Sequence, residues 1–202
     1  MAGDGARRDP TPIPKGLPPA FSVCSYDGAL RSAILAHKEQ GVRGLDGPLS
    51  WALARAVAAA VRADIAVGRP VTVIPVPVSR RRRRTGGDDT VGLLARKAVR
   101  ELRRLGIHAD LRPCLREVGG RHDQAGLERE ARLTNLAGRF RADWTPTRGP
   151  VVIVDDVITT GSTLAEAARA LAASGIRAHA AATIAATRLR HAGAREWLAS
   201  HP

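Results

Sequence analysis

The chain has 202 residues, a formal net charge of +13, 44% hydrophobic but only 3% aromatic residues, and two cysteines. That length suits one domain whose core needs neither disulfides nor metal, and no apolar run is long enough to span a membrane. The positive charge is almost all Arg, with Lys only at 15, 38 and 97; such a surface steers anions, DNA and polyphosphates included, while the scarcity of aromatics disfavours a base-stacking platform. Lone Cys24 and Cys114 fit a reducing compartment, and Met1 to Pro19 has no apolar signal core, so the chain reads as cytoplasmic.

Residues 1–20, rich in Gly, Pro and charge, read as a disordered segment, and 21–202 as a single domain. Phe21 to Ser25 reads as a short strand, after which Tyr26-Asp27-Gly28 turns into a helix through about Gln40. A second helix is expected from about Pro48 to Val67, with Leu49, Leu53, Val57 and Val61 on one face. Val71 to Ile74 follows as a strand, ended by Pro75 and Pro77. Val91 to Leu105 is predicted helical, Ile107 to Cys114 contains a strand, and Leu127 to Leu136 forms a short helix. Val151 to Val154, four β-branched residues after Gly149-Pro150, suit a central parallel strand. An Ala-rich helix to Ser174 and a strand around Ala178 to Ile184 complete the alternation. This pattern implies an α/β fold, a mostly parallel doubly wound sheet with its ligand at the strands' carboxyl edge.

The segment from Val151 to Leu164 carries the chemistry. Its strand ends in Asp155-Asp156 and leads through Thr159-Thr160-Gly161-Ser162-Thr163 into a helix. Gly161 lets backbone approach a ligand, the N–H groups of the helix start favour an anion, and four hydroxyls surround them. Paired carboxylates beside that turn can accept hydrogen bonds from sugar hydroxyls. Together these demands describe a phosphorylated sugar. A Walker loop is disfavoured because no Lys follows Gly161; a phospho-acceptor or metal-binding acid pair is a further reading. The plainest alternative is a core strand with a capped helix, Ser162 being its N-cap and Glu166 a surface acid, but two idle acids ending a buried strand cost several kcal/mol.

A second basic feature follows the strand at Val71. Ser79 leads into five arginines, Arg80 to Arg84, and then Gly86-Gly87. Such a run is often only a solvated face, but it leaves a parallel strand at the same sheet edge as Asp155, where the planar guanidinium fork suits pyrophosphate.

The acid pair followed by T-T-G-S-T resembles the phosphoribosyl-pyrophosphate (PRPP) motif of type I phosphoribosyltransferases. Further stretches resemble the ComF or late-competence branch of that superfamily: Tyr26 to Arg31 with His37-Lys38, Ile74 to Ser79 with its basic run, and Gln124 to Leu127 followed by Arg132, Asn135 and Phe140. Two features depart from that branch. There is no paired C-x-x-C, so the N-terminal zinc ribbon of many relatives is missing, and Thr85-Gly86-Gly87-Asp88-Asp89-Thr90 stands where many have R-G-x-N-Q.

The resemblance implies a type I phosphoribosyltransferase-like fold with a small variable hood, within about residues 21–65. It implies that Asp155 and Asp156 serve as the catalytic acids holding the ribose hydroxyls, that Thr159, Thr160, Gly161, Ser162 and Thr163 cradle the 5-phosphate, with Val157 in the same ribose and 5-phosphate site, and that Val78, Ser79 and Arg80 bind pyrophosphate. Arg82, Arg83, Arg84, Gly86 and Gly87 would form a flexible loop over the substrate. Lys38 can reach a phosphate or simply end its helix favourably, and Gln124 and Arg132 line the acceptor side or pin a loop. Mg2+ would arrive with PRPP rather than on dedicated protein ligands. The implied activity is that of a glycosyltransferase of the phosphoribosyltransferase type, moving phosphoribose to a nitrogen nucleophile with release of pyrophosphate. The alternative is a non-catalytic PRPP-binding or DNA-processing accessory protein in competence. Partners to be considered are PRPP or pyrophosphate, single-stranded DNA, competence proteins and a second copy in a homodimer.

Overall fold

A computed structural model describes residues 5–64, 69–79, 82, 84, 86–118, 138–143 and 149–187. Among the described residues there are eight strands: β1 (Ala6–Arg7), β2 (Ala20–Ser25), β3 (Val71–Pro75), β4 (Ala109–Leu111), β5 (Leu115–Glu117), β6 (Phe140–Ala142), β7 (Val151–Ile158) and β8 (Ala180–Ala186). The helices are α1 (Gly28–Gln40), α2 (Asp46–Asp64), α3 (Thr90–Arg104) and α4 (Ser162–Ala172), with a 3-10 turn at Arg43–Leu45 before α2. Six strands form one sheet in the order β1-β2-β8-β7-β3-β4, parallel throughout except for β1, and β5 and β6 form a separate antiparallel hairpin. The mostly parallel α/β architecture expected from the alternating pattern is thus present.

Burial explains why β7 lacks polar alternation. Val152 and Val154 join the core under α2 and α3, whereas Val151 and Ile153 join the one under α4 and the hairpin, so both faces are covered. Each such side chain removed from water contributes roughly 1.5–3 kcal/mol, enough to fix this strand at the sheet's centre. Beyond the two acids the assignment reverses, with Val157 joining the first core and Ile158 the second. Across β2 and β8 the buried hydroxyls of Ser22 and Thr183 satisfy each other at 2.7 Å.

Several expectations shift. The second helix starts at Asp46, two residues before Pro48, because the 3-10 turn feeds directly into it; its apolar face behaves as expected, with Leu49, Leu53 and Val57 fully buried. In the span 21–64, β2 lies in the sheet and α2 packs on β2, β8 and α3 as a core helix. Strands β5 and β6 add to the expected elements, while the helix expected over Leu127–Leu136 lies outside the described residues. Within the segment read as disordered, residues 5–20 take a defined path. β1 pairs with β2, Arg8 donates its N–H to the Ala20 carbonyl at 2.7 Å, and the Asp9 carboxylate accepts from the Ala20 N–H at 2.9 Å. Those bonds give the strap a fixed course that its Gly/Pro-rich composition conceals.

Candidate functional site at the carboxyl edge of the sheet

Strands β3 and β7 are neighbours, with Pro75 opposite Val154, so the segments leaving their carboxyl ends emerge at one edge. From β7 come Asp155 and Asp156. The Asp155 carboxylate accepts from the Asp156 N–H at 2.8 Å and the Asp156 carboxylate from the Val157 N–H at 2.9 Å, folding both acids back along the strand. From β3 come Val76, Pro77, Val78 and Ser79, whose hydroxyl accepts from the Arg82 N–H at 3.3 Å. A cavity of about 170 Å³ between them is lined by Lys38, Val76, Pro77, Val78, Ser79, Arg82, Asp89, Thr90, Val91 and Asp155.

Helix α1 supplies the cation. Lys38 Nζ donates to Asp156 Oδ2 at 2.6 Å, the ammonium one-third exposed and the carboxylate mostly buried. Burial alone would lower the Lys38 pKa, but the charge and hydrogen bond of Asp156, with help from Asp155, outweigh it and raise it above the ordinary value, against opposition from Arg82. Asp155 moves the other way for an acid. Burial, and then the charge of Asp156 beside it, push its carboxyl up to about 8, with Lys38 countering only in part. Near neutral pH the pair therefore holds a proton as well as an ammonium, an arrangement suited to sharing hydrogen bonds with hydroxyls.

Behind Lys38 its neighbour His37, 2% exposed, meets Asp46 Oδ1 through Nε2 at 2.7 Å, and Lys97 Nζ donates to Asp46 Oδ2 at 2.8 Å. One carboxylate thus ties α1, α2 and α3 together. Asp88 pairs with Arg43, and Asp89 accepts from the Gly92 N–H at 3.0 Å as the N-cap of α3. The sequence signal for that cap, an acid before an amphipathic run, is present at Asp89.

The hydroxyl-rich turn sits beyond the acids. Gly161 takes φ +76° as N-cap of α4, so the expectation of Ser162 in that place under the plainer reading is replaced: Ser162 is the first helical residue, its hydroxyl 3.0 Å from that of Thr160. Thr159 and Thr160 are exposed, and no acid occupies the first turn of α4. Glu166 is no surface acid. It is buried, accepting from the Phe140 N–H at 3.0 Å and from Arg169 Nε at 2.6 Å, and so pins the β5–β6 hairpin to α4.

The structure therefore brings Lys38, Val78, Ser79, Arg82 and Asp155 to one cavity, with Asp156 held on Lys38. Thr159 lines a second cavity, of about 230 Å³, with Arg8, Asp9, Pro10, Ile158, Ala186 and Thr187. Arg84 is exposed, and Gly86 and Gly87 belong to a turn in which Gly87 donates to the Arg82 carbonyl at 2.8 Å. Arg80, Arg83, Gln124 and Arg132 lie outside the described residues. Among the described residues no cluster of three or more His, Cys, Asp or Glu is placed to hold a metal, and no helix is long and apolar enough to cross a membrane.

Fold and site together define an α/β protein with an acid pair, an anion-favouring turn and a cationic wall at one sheet edge. In agreement, residues 145–200 match the family model of the phosphoribosyl transferase domain, a span that contains Asp155, Asp156 and the 159–163 turn. The match is a similarity to that domain over residues 145–200. No curated protein matches the chain.

Proposed function

We propose that the protein binds PRPP with magnesium and transfers phosphoribose to a nitrogen nucleophile, releasing pyrophosphate. The observation that carries this reading is the shared cavity: the neighbouring strands β3 and β7 bring Ser79, Arg82 and Asp155 to one edge, and α1 adds Lys38 to the same lining. Asp155 and Asp156 hold the ribose 2- and 3-hydroxyls, the first donating or accepting according to its proton and the second accepting. The 159–163 turn receives the 5-phosphate at the start of α4. Arg82 and Lys38 face the pyrophosphate, with Val78 and Ser79 supplying the backbone and hydroxyl beneath it.

In the reaction the bond between ribose C1 and the pyrophosphate oxygen breaks, its electron pair leaving with pyrophosphate. The nitrogen lone pair forms the new bond at C1, and the nitrogen loses its proton. The side chains position the sugar and neutralise the departing charge, and no covalent protein intermediate is required. Magnesium, when bound with the ligand, neutralises phosphate charge. The donor set fits an ion carried in on phosphates, since among the described acids at this edge Asp156 is already held by Lys38 and Asp89 caps α3 through the Gly92 N–H.

The test is calorimetric titration of magnesium-PRPP into wild type and Asp155→Asn/Asp156→Asn, followed by a pyrophosphate-release assay against nucleobases and amines. The double variant is expected to lose binding; unchanged binding would sink the assignment. Tight binding without release from any acceptor would identify a PRPP sensor, the reading that suits an accessory role in DNA processing.

A further inference from the structure

Arg8 is the feature the proposed reaction does not use. It belongs to the N-terminal strap, partly buried, and its Nε is shielded from solvent with no hydrogen-bond partner among the described residues. A guanidinium nitrogen withdrawn from water without an acceptor is unfavourable. The neighbouring carboxylate is already engaged: Asp9 Oδ1 accepts from the Ala20 N–H at 2.9 Å and Oδ2 meets Arg7 Nε at 2.6 Å.

The Arg8 side chain also lines the 230 Å³ cavity whose polar lining comprises Arg8, Asp9, Thr159 and Thr187, between the strap and the carboxyl ends of β7 and β8. Thr159 opens the turn into α4, and Thr187 is fixed to that turn, its N–H donating to the Ile158 carbonyl at 3.0 Å. The strap is also seated on the turn. A Cβ on Gly161 would lie 2.9 Å from Leu17 Cδ2 and 3.0 Å from Pro10 Cγ, so glycine admits the strap as well as the positive φ. The cation of the strap and Thr159 at the head of the turn thus border the same space.

We infer that Arg8 is a phosphate-binding residue, and that the strap completes the site for a phosphomonoester, the 5-phosphate end of the sugar, by placing a guanidinium opposite Thr159. This rests on the phosphoribosyl reading of the site. A guanidinium suits a phosphomonoester because its fork donates two parallel hydrogen bonds to one group.

Ribose 5-phosphate, inorganic phosphate and pyrophosphate titrated into the full chain test it, with wild type, Arg8→Gln and Arg8→Lys compared. The Arg8 backbone bond to Ala20 does not depend on the side chain, so the strap keeps its course in both variants. Arg8→Gln is expected to weaken ribose 5-phosphate and inorganic phosphate about tenfold, with pyrophosphate changed less than about twofold and Lys restoring part of the loss. Unchanged ribose 5-phosphate affinity overturns the inference, including the case where only inorganic phosphate binding is lost, which would mark a separate anion site. Equal loss of all three ligands with a lower melting temperature overturns it too, as a folding effect. Asp155→Asn/Asp156→Asn tells the two readings apart. It should lose ribose 5-phosphate yet keep Arg8-dependent phosphate binding, whereas wild-type affinity for ribose 5-phosphate in that variant would fail the sugar assignment and leave Arg8 standing.

Discussion

Lys38 Nζ stands 2.6 Å from Asp156 Oδ2, although 118 positions separate them in the chain. The contact makes α1 part of the site, because its last turn neutralises an acid delivered by the central strand. It also sets the charge state of the neighbour, since the ammonium is among the influences opposing the upward shift of Asp155.

Replacing Lys38 by Met removes that opposition. The Asp155 carboxyl is expected to titrate above its value of about 8, and magnesium-PRPP affinity to fall about tenfold as a charge-assisted partner is lost. Carbon-13 chemical shifts of labelled Asp carboxyls across pH 6–10, a window of about two units either side of that value, read the first effect, and calorimetry the second. A titration that stays in place would show that the ammonium does not govern the pair.

Stability should fall with rising pH on account of Asp155. Its folded pKa lies above the unfolded 3.8, raised by burial first and by Asp156 second. Between about pH 4 and pH 8 the folded state keeps a proton that the unfolded chain has released, so unfolding becomes easier across that window. Asn mimics the protonated form without titrating. Asp155→Asn is therefore expected to exceed wild type in stability by ~1–3 kcal/mol at about pH 8, the gap closing toward about pH 4. Urea unfolding at the two pH values measures it, and a gap that widens on acidification would reverse the assignment.

Gly161→Ala tests the seating of the strap. The substitution forces φ +76° on a residue with a Cβ and sets that Cβ against Leu17 and Pro10. A loss of ~1–2 kcal/mol is expected, together with weaker ribose 5-phosphate binding as the turn shifts. Thermal melts with and without ribose 5-phosphate give both quantities. Equal melting of variant and wild type would mean that strap and turn do not press on each other.

The core strands and the acid-bearing turn are legible in the sequence because their signals are local. Val151 to Val154 can only be covered on both faces, and the acids with Gly161 come directly after them. The Lys38–Asp156 contact is not legible, since nothing in a helix-terminal Lys states which distant acid it meets. The five arginines cannot be ranked by identity either. Position separates the two described ones: Arg82 lines the cavity, while Arg84 is exposed. Strands β5 and β6 are three residues each and carry no period to read, their place being fixed by Glu166 through Phe140. The strap is hidden because Gly, Pro and charge mark disorder unless tertiary bonds intervene, and here Asp9 and β2 provide them.

Asp46 links the fold to the site, and its replacement separates the two roles. Its carboxyl is buried, which alone would raise its pKa, but the hydrogen bonds from Lys97 and His37 outweigh that and hold it below the unfolded 3.8. The stability it contributes is therefore fully present above that unfolded value and lost as pH falls through the lower folded one. Asp46→Asn is expected to cost ~3 kcal/mol at neutral pH, because Lys97 and His37 lose the charge and one of the two oxygens they share, and to approach wild type below about pH 4. The same change frees the last turn of α1, and with it Lys38. In a double-mutant cycle with Lys38→Met, the losses of magnesium-PRPP affinity should be less than additive, since either change alone already breaks the hold on Asp156. Additive losses would confine Asp46 to holding helices together, with no part in aiming Lys38.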